Sequence, residues 1–191
     1  MQLILASQSP RRRDLLQLLR VPFVVRPADI DEGMDPSLPP QLEVARVSKL
    51  KAEATSRNAE DVVIAADTIV VLEDRVLGKP TDRQDAIAML RALSGRDHQV
   101  MTGMTVLRGD QSITHTEITD VHFRPLSEEE ILRYVETGEP MDKAGSYGIQ
   151  GFAAPFVSGI RGDYYNVMGL PVCRLLQMLR QLAPDYMEEF Q

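Results

Sequence analysis

The stretch Ile64 to Pro80, IAADTIVVLEDRVLGKP, constrains the fold more than any other part of the chain. It opens with apolar and small residues, the pattern of a strand buried on both faces, which needs cover on each side of its sheet. Asp67 and Thr68 stand at the end of that run, and the β-branched segment Ile69 to Leu72 follows at once. A polar turn, Glu73-Asp74-Arg75, and a short return, Val76-Leu77, read together as a hairpin that ends at Gly78-Lys79-Pro80. If the hairpin closes, Lys79 comes near Asp67, twelve positions earlier in sequence. A carboxylate able to hold a metal or a water, beside an ammonium, is equipment for handling phosphates.

The rest of the chain is compatible with such a site. At 191 residues it makes one domain, or two small lobes, and its 43% hydrophobic and 26% charged content suits a protein that builds its own core. The net charge of -7 argues against a broad nucleic-acid surface but not against a small phosphate ligand held by a local basic cluster. The single cysteine, Cys173, excludes an internal disulfide and sits in an apolar stretch, where a buried structural thiol is expected. No apolar run approaches the roughly 20 residues that cross a bilayer, and MQLILAS lacks the length and basic start of a signal peptide. The expectation is a cytoplasmic protein.

Leu3 to Ala6 reads as a short buried strand. Ser9 is a good N-cap and Pro10 fits the first helical position, so Arg11, Arg12 and Arg13 fall in the first turn of a helix ended by Val21-Pro22. Cations there oppose the helix dipole, which makes sense if an anion binds; otherwise the turn is simply solvated. Steps of about 100° per residue prevent all three from facing one ligand. After a strand at Phe23-Val24-Val25 come the acids Asp29, Asp31 and Glu32, then a proline-rich loop, Gly33 to Pro40, read as a linker or flap. From Gln41 to about Arg57, Leu42, Val44, Ala45, Val47, Leu50 and Ala54 keep helical spacing, with Lys49 and Lys51 among them.

Asp82 caps a helix that runs to about Gly95. Gln99 to Leu107 and Ile113 to Phe123 form a second hairpin around Gly109-Asp110. His98, His115 and His122 lack zinc-ligand spacing, and His98 reads as structural. Ser127 to Glu130 is a capping box for the helix up to Glu136, closed by Gly138. The glycine-rich loop Asp142 to Gly151, DKAGSYGIQG, lets backbone approach a ligand closely. Within it Gln150 offers a donor and an acceptor side by side, complementary to a uracil or thymine edge. Pro171 to Leu182 is an amphipathic helix, and the tail from Pro184 is expected to fray. Gly78-Lys79 is not a Walker A loop, because Pro80 replaces the hydroxyl residue and the upstream glycine is missing. The architecture expected is α/β: a mixed, twisted sheet flanked by helices, with two lobes around a central cleft.

Water attacking phosphorus needs cations on the surrounding oxygens and a base or metal to prepare the water. Arg11, Arg12, Lys51 and Lys79 can supply the first; Asp67 and Glu32, through Mg²⁺ or Mn²⁺, can supply the second.

Five segments, ASQSPRRRDLL, AADTIVVLEDRVLGKP, SGRDHQVMTG, DKAGSYGIQG and GDYYNVMGLPV, resemble the Maf family of house-cleaning nucleoside triphosphate pyrophosphatases, in order and over almost the whole chain. The resemblance implies hydrolysis between the α and β phosphates with Asp67 as proton acceptor. It also implies Lys51 and Lys79 at the phosphates, Ser7, Arg11, Arg12, Thr68 and Gln150 as substrate contacts, and Glu32 with Asp67 at a divalent cation (Mg²⁺, Mn²⁺ or Co²⁺). Arg11, Thr68 and Gln150 match positions that separate substrate classes. GIQG resembles the branch acting on dTTP and UTP, with modified pyrimidine nucleotides also in range; a sister branch acts on 7-methyl-GTP. The family forms homodimers. A different class of role, a nucleotide-binding regulator of cell division, remains open at this level.

Overall fold

A computed structural model describes residues 1–30, 33 and 35–188. In chain order the elements are β1 (Leu3–Leu5), α1 (Pro10–Gln17), β2 (Val24–Val25), α2 (Pro40–Ala54), β3 (Val62–Leu72), β4 (Arg75–Leu77), α3 (Arg83–Leu93), β5 (Asp97–Arg108), β6 (Gln111–Phe123), α4 (Glu128–Glu136), β7 (Val157–Arg161), α5 (Tyr164–Met168), α6 (Val172–Leu182) and α7 (Pro184–Glu188). Short 3₁₀ turns lie between α4 and β7. The strands form one mixed, seven-stranded sheet in the order β2-β1-β3-β5-β6-β7, with β4 attached to β3. The chain divides into two compact units. The first is Met1–Asp67, Thr102–Glu117 and Gly169–Gln191; the second is Thr68–Met101 and Ile118–Met168. Among the described residues, no helix is long and apolar enough to cross a membrane.

In the first unit β1 is parallel to both neighbours, with Ile4 opposite Val24 and Val63. Ile4, Ala6, Val63 and Ala65 share one face and pack with Ala52 of α2 and Leu107 of β5. Alternation along a strand explains that set: residues two apart point the same way. The approach of α2 to the sheet is set by Gly103 on β5. A Cβ there would lie 2.1 Å from the Val44 carbonyl oxygen. Only a residue with no side chain lets that helix backbone lie on the strand.

The buried stripe of α2 is not the one its aliphatic spacing suggests. Glu43, Val44, Val47, Ser48, Lys51 and Ala52 are buried, while Leu42 and Leu50 are exposed. Each polar member has a partner. Arg46 grips both Glu43 oxygens at 2.8 and 2.6 Å, the Ser48 and Thr105 hydroxyls meet at 2.8 Å, and Lys51 reaches Asp67. Glu43 also accepts the Asp35 N–H at 3.0 Å, and Arg46 donates to the Gly33 carbonyl at 2.8 Å. The loop read as a flap is therefore tied to α2 at these described positions.

Other boundaries also depart from expectation. α1 stops at Gln17, because Leu18, Leu19 and Arg20 bond back to Leu15, Leu16 and Gln17 and Arg20 adopts φ 56°. Asp67 is not at a strand end; β3 continues through it to Leu72. Pro184–Glu188 is helical, with Tyr186 and Met187 buried, Arg108 forked onto Asp185 at 2.7 and 2.8 Å, and the Tyr186 hydroxyl donating to the Pro22 carbonyl. Cys173 is exposed, since it lies on the outer side of α6, whose buried residues are Leu175, Met178 and Leu179.

In the second unit β4 folds back on β3 with Val70 opposite Leu77, around a turn at Glu73-Asp74. α3 and α4 start where the sequence says, on Asp82 accepting from the Asp85 N–H and on the Ser127–Glu130 capping box. β7 pairs antiparallel with β6. His98 is buried, its Nε2 2.8 Å from the Tyr147 hydroxyl and its ring edge-on to Phe123 and Tyr147 at 5.0 and 5.4 Å. Burial lowers its pKa to about 4, with smaller opposing contributions from Asp97 and His122. The folded state thus holds the imidazole neutral while the unfolded chain protonates below about pH 6.5, so stability is lost as pH falls from there towards about 4.

Two outcomes are expected. Gly103→Ala should cost at least about 3 kcal/mol in chemical denaturation, because backbone must move; a loss within about 1 kcal/mol would show that α2 does not rest on that residue. Between about pH 7 and pH 4.5, His98→Phe should lose roughly 2 kcal/mol less stability than the parent, and parallel pH curves would remove His98 as the acid-sensitive group.

Candidate functional site

Residue alternation places Asp67 on the face of β3 that α2 covers, in phase with Val63 and Ala65. Lys51, in the last turn of α2, sends its Nζ to Asp67 Oδ1 at 2.8 Å. The two side chains retain only 10% and 18% exposure, so this ion pair is shielded from most solvent screening. The lysine is locked from behind by Thr55, whose hydroxyl donates to the Lys51 carbonyl at 2.8 Å. The ammonium holds Oδ1; a carboxylate so held has Oδ2 as its position for a proton acceptor or a hard-cation ligand.

Next to it, Ser7 directly follows β1. The Ala6 N–H bonds to the Ile64 carbonyl at 2.8 Å, so the parallel register brings Ser7 level with Ala66, one residue from Asp67. The Ser7 hydroxyl oxygen accepts from the Ser9 N–H at 3.2 Å and from Arg12 at 3.3 Å. Arg12 Nε donates to the Gly169 carbonyl at 2.8 Å. Of the three arginines, Arg12 thus stitches the start of α1 to the segment before α6, Arg13 is exposed near Asp14 at 3.8 Å, and Arg11 is half-buried. Ser9 caps α1 through the Arg12 N–H at 3.4 Å. The helix itself places no acidic residue in its first turn, the position where an acid would favour the dipole. The first unit therefore assembles Ser7, just past the end of β1, Arg12 in the first turn of α1, Lys51 in the last turn of α2 and Asp67 in the middle of β3. Glu32 lies outside the described residues. Among the described residues no three His, Cys, Asp or Glu side chains gather as a metal cluster.

The second unit holds the remaining candidates. Thr68 has the same parity as Val70, and Val70 is the side chain on which the glycine-rich loop rests: a Cβ on Gly145 would come within 2.8 Å of it. Gly145 has φ 67°, and its N–H bonds to the Gly78 carbonyl at 3.0 Å, so the loop is fastened beside Lys79. Lys79 is exposed. Gln150 is exposed in a turn closed by the Gly151 N–H onto the Gly148 carbonyl at 3.0 Å, with neighbouring Ile149 buried. The loop's glycines are also required by its own packing. Cβ atoms on Gly148 and Gly151 would strike Lys143 at 2.7 Å and the Glu139 carboxylate at 2.2 Å, so these positions serve the loop's packing on itself.

Sequence reasoning missed Tyr134 and Glu139. The Tyr134 hydroxyl donates to Glu139 Oε1 at 2.9 Å and accepts the Gly148 N–H at 3.1 Å, while Glu139 Oε2 accepts the Phe152 N–H at 3.0 Å. Burial, then the bond to Glu139, raises the Tyr134 pKa and keeps its proton in place. The one available signal was a charged residue directly after a helix-ending glycine.

The comparisons with known proteins agree with one another. Residues 2–182 match the model of the family Maf, Maf-like protein. The chain is 54% identical over 183 residues to a dTTP/UTP pyrophosphatase of Symbiobacterium thermophilum, covering 95% of this chain and 94% of that protein. It is 47% identical to the Bacillus velezensis protein of that name, covering 94% and 96%, and 45% identical to the one from Desulforamulus reducens, covering 96% and 97%. Among solved structures, a HAM1 protein from Coxiella burnetii aligns with a TM-score of 0.53 at 14% identity, over 95% of this chain and 99% of that one, a likeness of fold alone. With a family model matched over nearly its full length and relatives this similar end to end, the chain belongs to the Maf family.

Proposed function

We propose that this protein hydrolyses dTTP and UTP to the monophosphate and pyrophosphate. The observation that carries the reading is the shielded Lys51–Asp67 pair, a carboxylate with one oxygen fixed at 2.8 Å and the other available to a water. Support for the substrate comes from the relatives named dTTP/UTP pyrophosphatase at 45–54% identity. In the reaction, water oxygen bonds to the α phosphorus as the bond from that phosphorus to the α–β bridging oxygen breaks. The water proton passes to Asp67, and pyrophosphate leaves. Lys51 holds the base in place. Arg11, Arg12 and Ser7 at the start of α1 bind phosphate oxygens, and Arg12 is already oriented by Ser7 and Gly169. In the second unit Lys79 serves the phosphates, and Thr68 and Gln150 serve selection, Gln150 by pairing with the pyrimidine N3–H and a carbonyl.

A divalent cation fits this donor set in the manner of Mg²⁺, which is commonly held by one or two carboxylates together with substrate phosphates. Asp67 Oδ2 would hold it, with Glu32 as the second carboxylate. When bound, the ion supplies Lewis-acid stabilisation of phosphate charge. Action as a cytoplasmic homodimer belongs to the same reading and is carried by the family resemblance.

The test is phosphate release in the presence of added inorganic pyrophosphatase, over a nucleotide panel with Mg²⁺, Mn²⁺ or Co²⁺. Turnover should be highest on dTTP and UTP. Absence of signal from every triphosphate would remove the enzymatic reading in favour of a binding protein, and a preference for 7-methyl-GTP would move the chain to the sister branch. Asp67→Asn should lower turnover at least about a hundredfold while calorimetry still detects dTTP binding; retained turnover would show that another group takes the proton. Lys51→Met should destabilise the fold by roughly 1–3 kcal/mol, and adding Asp67→Asn should restore part of that loss, because the second change removes the stranded charge. Strict additivity would mean that the pair is not coupled.

A further inference from the structure

Gln150 is the residue on which pyrimidine selection depends in the reading above, yet it is exposed and stands in no helix or strand. A side chain reads a base edge only if its backbone is held before the ligand arrives, since ordering a loop on binding subtracts from affinity. The turn carrying it is anchored at three places. Ile149 is buried. Two residues before Gln150, the Gly148 N–H donates to the Tyr134 hydroxyl at 3.1 Å. Two residues after it, the Phe152 N–H donates to Glu139 Oε2 at 3.0 Å. Tyr134 and Glu139 are themselves joined at 2.9 Å, so the two anchors form one bridge beneath the turn. The bridge is supported in turn. Tyr134 is 3% exposed and edge-on to Phe156 at 5.2 Å, and Lys143 Nζ donates to the Glu139 carbonyl at 2.7 Å.

We infer that Tyr134 and Glu139 form a positioning bridge that fixes the Gly148–Phe152 turn and thereby sets the base selectivity exercised by Gln150. The inference rests on the proposed pyrimidine triphosphate pyrophosphatase activity and deepens it. Both oxygens of Glu139 are acceptors in use, one from a hydroxyl and one from a backbone N–H, a task that a carboxamide with a single acceptor oxygen cannot repeat. Glycine at 151 is part of the same device, because any Cβ would displace the Glu139 carboxylate. Neither side chain is assigned to the phosphates or to the water, so its effect reaches the reaction through Gln150.

The test is the ratio of kcat/KM for dTTP to that for dGTP in the full-length protein, its Tyr134→Phe variant, Gln150→Ala and the double variant. Tyr134→Phe should reduce the ratio about tenfold, mainly through a raised KM for dTTP. In the Gln150→Ala background the same change should leave the ratio within about twofold, because the residue being positioned is gone. Backbone amide exchange at Gly148 and Phe152 should quicken in Tyr134→Phe while exchange in β5 stays constant. If Tyr134→Phe does not fold, Glu139→Gln carries the same measurements. An unchanged ratio, an equal fall in kcat/KM for both nucleotides, or the same loss of ratio with and without Gln150 would overturn the bridge while leaving the pyrophosphatase reading intact. A parent protein that turns over triphosphates without preferring dTTP and UTP would overturn both.

Discussion

The feature on which the first unit depends is an ion pair placed where an aliphatic contact would be ordinary. Lys51 occupies the buried stripe of α2, and Asp67 occupies the covered face of β3. Taking both charges out of water is costly, and the pair offsets that cost only while its geometry holds at 2.8 Å. The helix must therefore be docked to within a few tenths of an ångström. It is: the α2 backbone lies against Gly103, and Ser48 is hydrogen-bonded to Thr105, itself 2.9 Å from Thr114. Polar residues on that stripe cost more to bury than leucines but fix the helix in one register and rotation, which a smooth apolar face would not do. The aim of the Asp67 carboxylate is a consequence of how α2 is seated.

The start of α1 is organised on the opposite principle. Here positive charge is concentrated, with three arginines in a helical turn that carries no acid of its own. Helix stability alone does not select that arrangement. One of the arginines, Arg12, is held by the Gly169 carbonyl and the Ser7 hydroxyl, which fix the direction of its guanidinium. An anion meeting this turn finds backbone donors already in place and a dipole of matching sign.

Signals confined to a few neighbouring residues were legible in the sequence. The caps at Ser9, Asp82 and Ser127, the hairpin turns, and Gly138 at φ 75° all follow from local chemistry that the fold does not override. The sequence argument set Lys79 beside Asp67 and gave Lys51 to the phosphates; that Lys51 itself holds the Asp67 carboxylate was not read from the sequence. What was not legible depends on partners far along the chain. The buried stripe of α2 was misread because Glu43, Ser48 and Lys51 look like surface residues until Arg46, Thr105 and Asp67 are placed against them. The tail from Pro184 looked unsupported because its partners, Arg108 and Pro22, are distant in sequence. Cys173 was misplaced by its apolar neighbours, since helical rotation, not composition, decides which of them face inward.

The two kinds of task in this protein rest on two kinds of support. The groups assigned to chemistry common to any nucleoside triphosphate, Asp67 and Lys51, stand on a strand and a helix whose positions are set by many backbone bonds and by core packing. The group assigned to the base stands on a turn whose order comes from a handful of side chains and tightly filled glycine positions. In the proposed reading a change in the turn acts on base selection, whereas a change under Asp67 disturbs the core. Loops carry the variable part of recognition for this reason, provided that something holds them still. Here the glycines of DKAGSYGIQG provide it: by leaving no room for side chains of their own, they let Val70, Lys143 and Glu139 grip the loop from below, so that a segment with the composition of a flexible linker behaves as a fixed one.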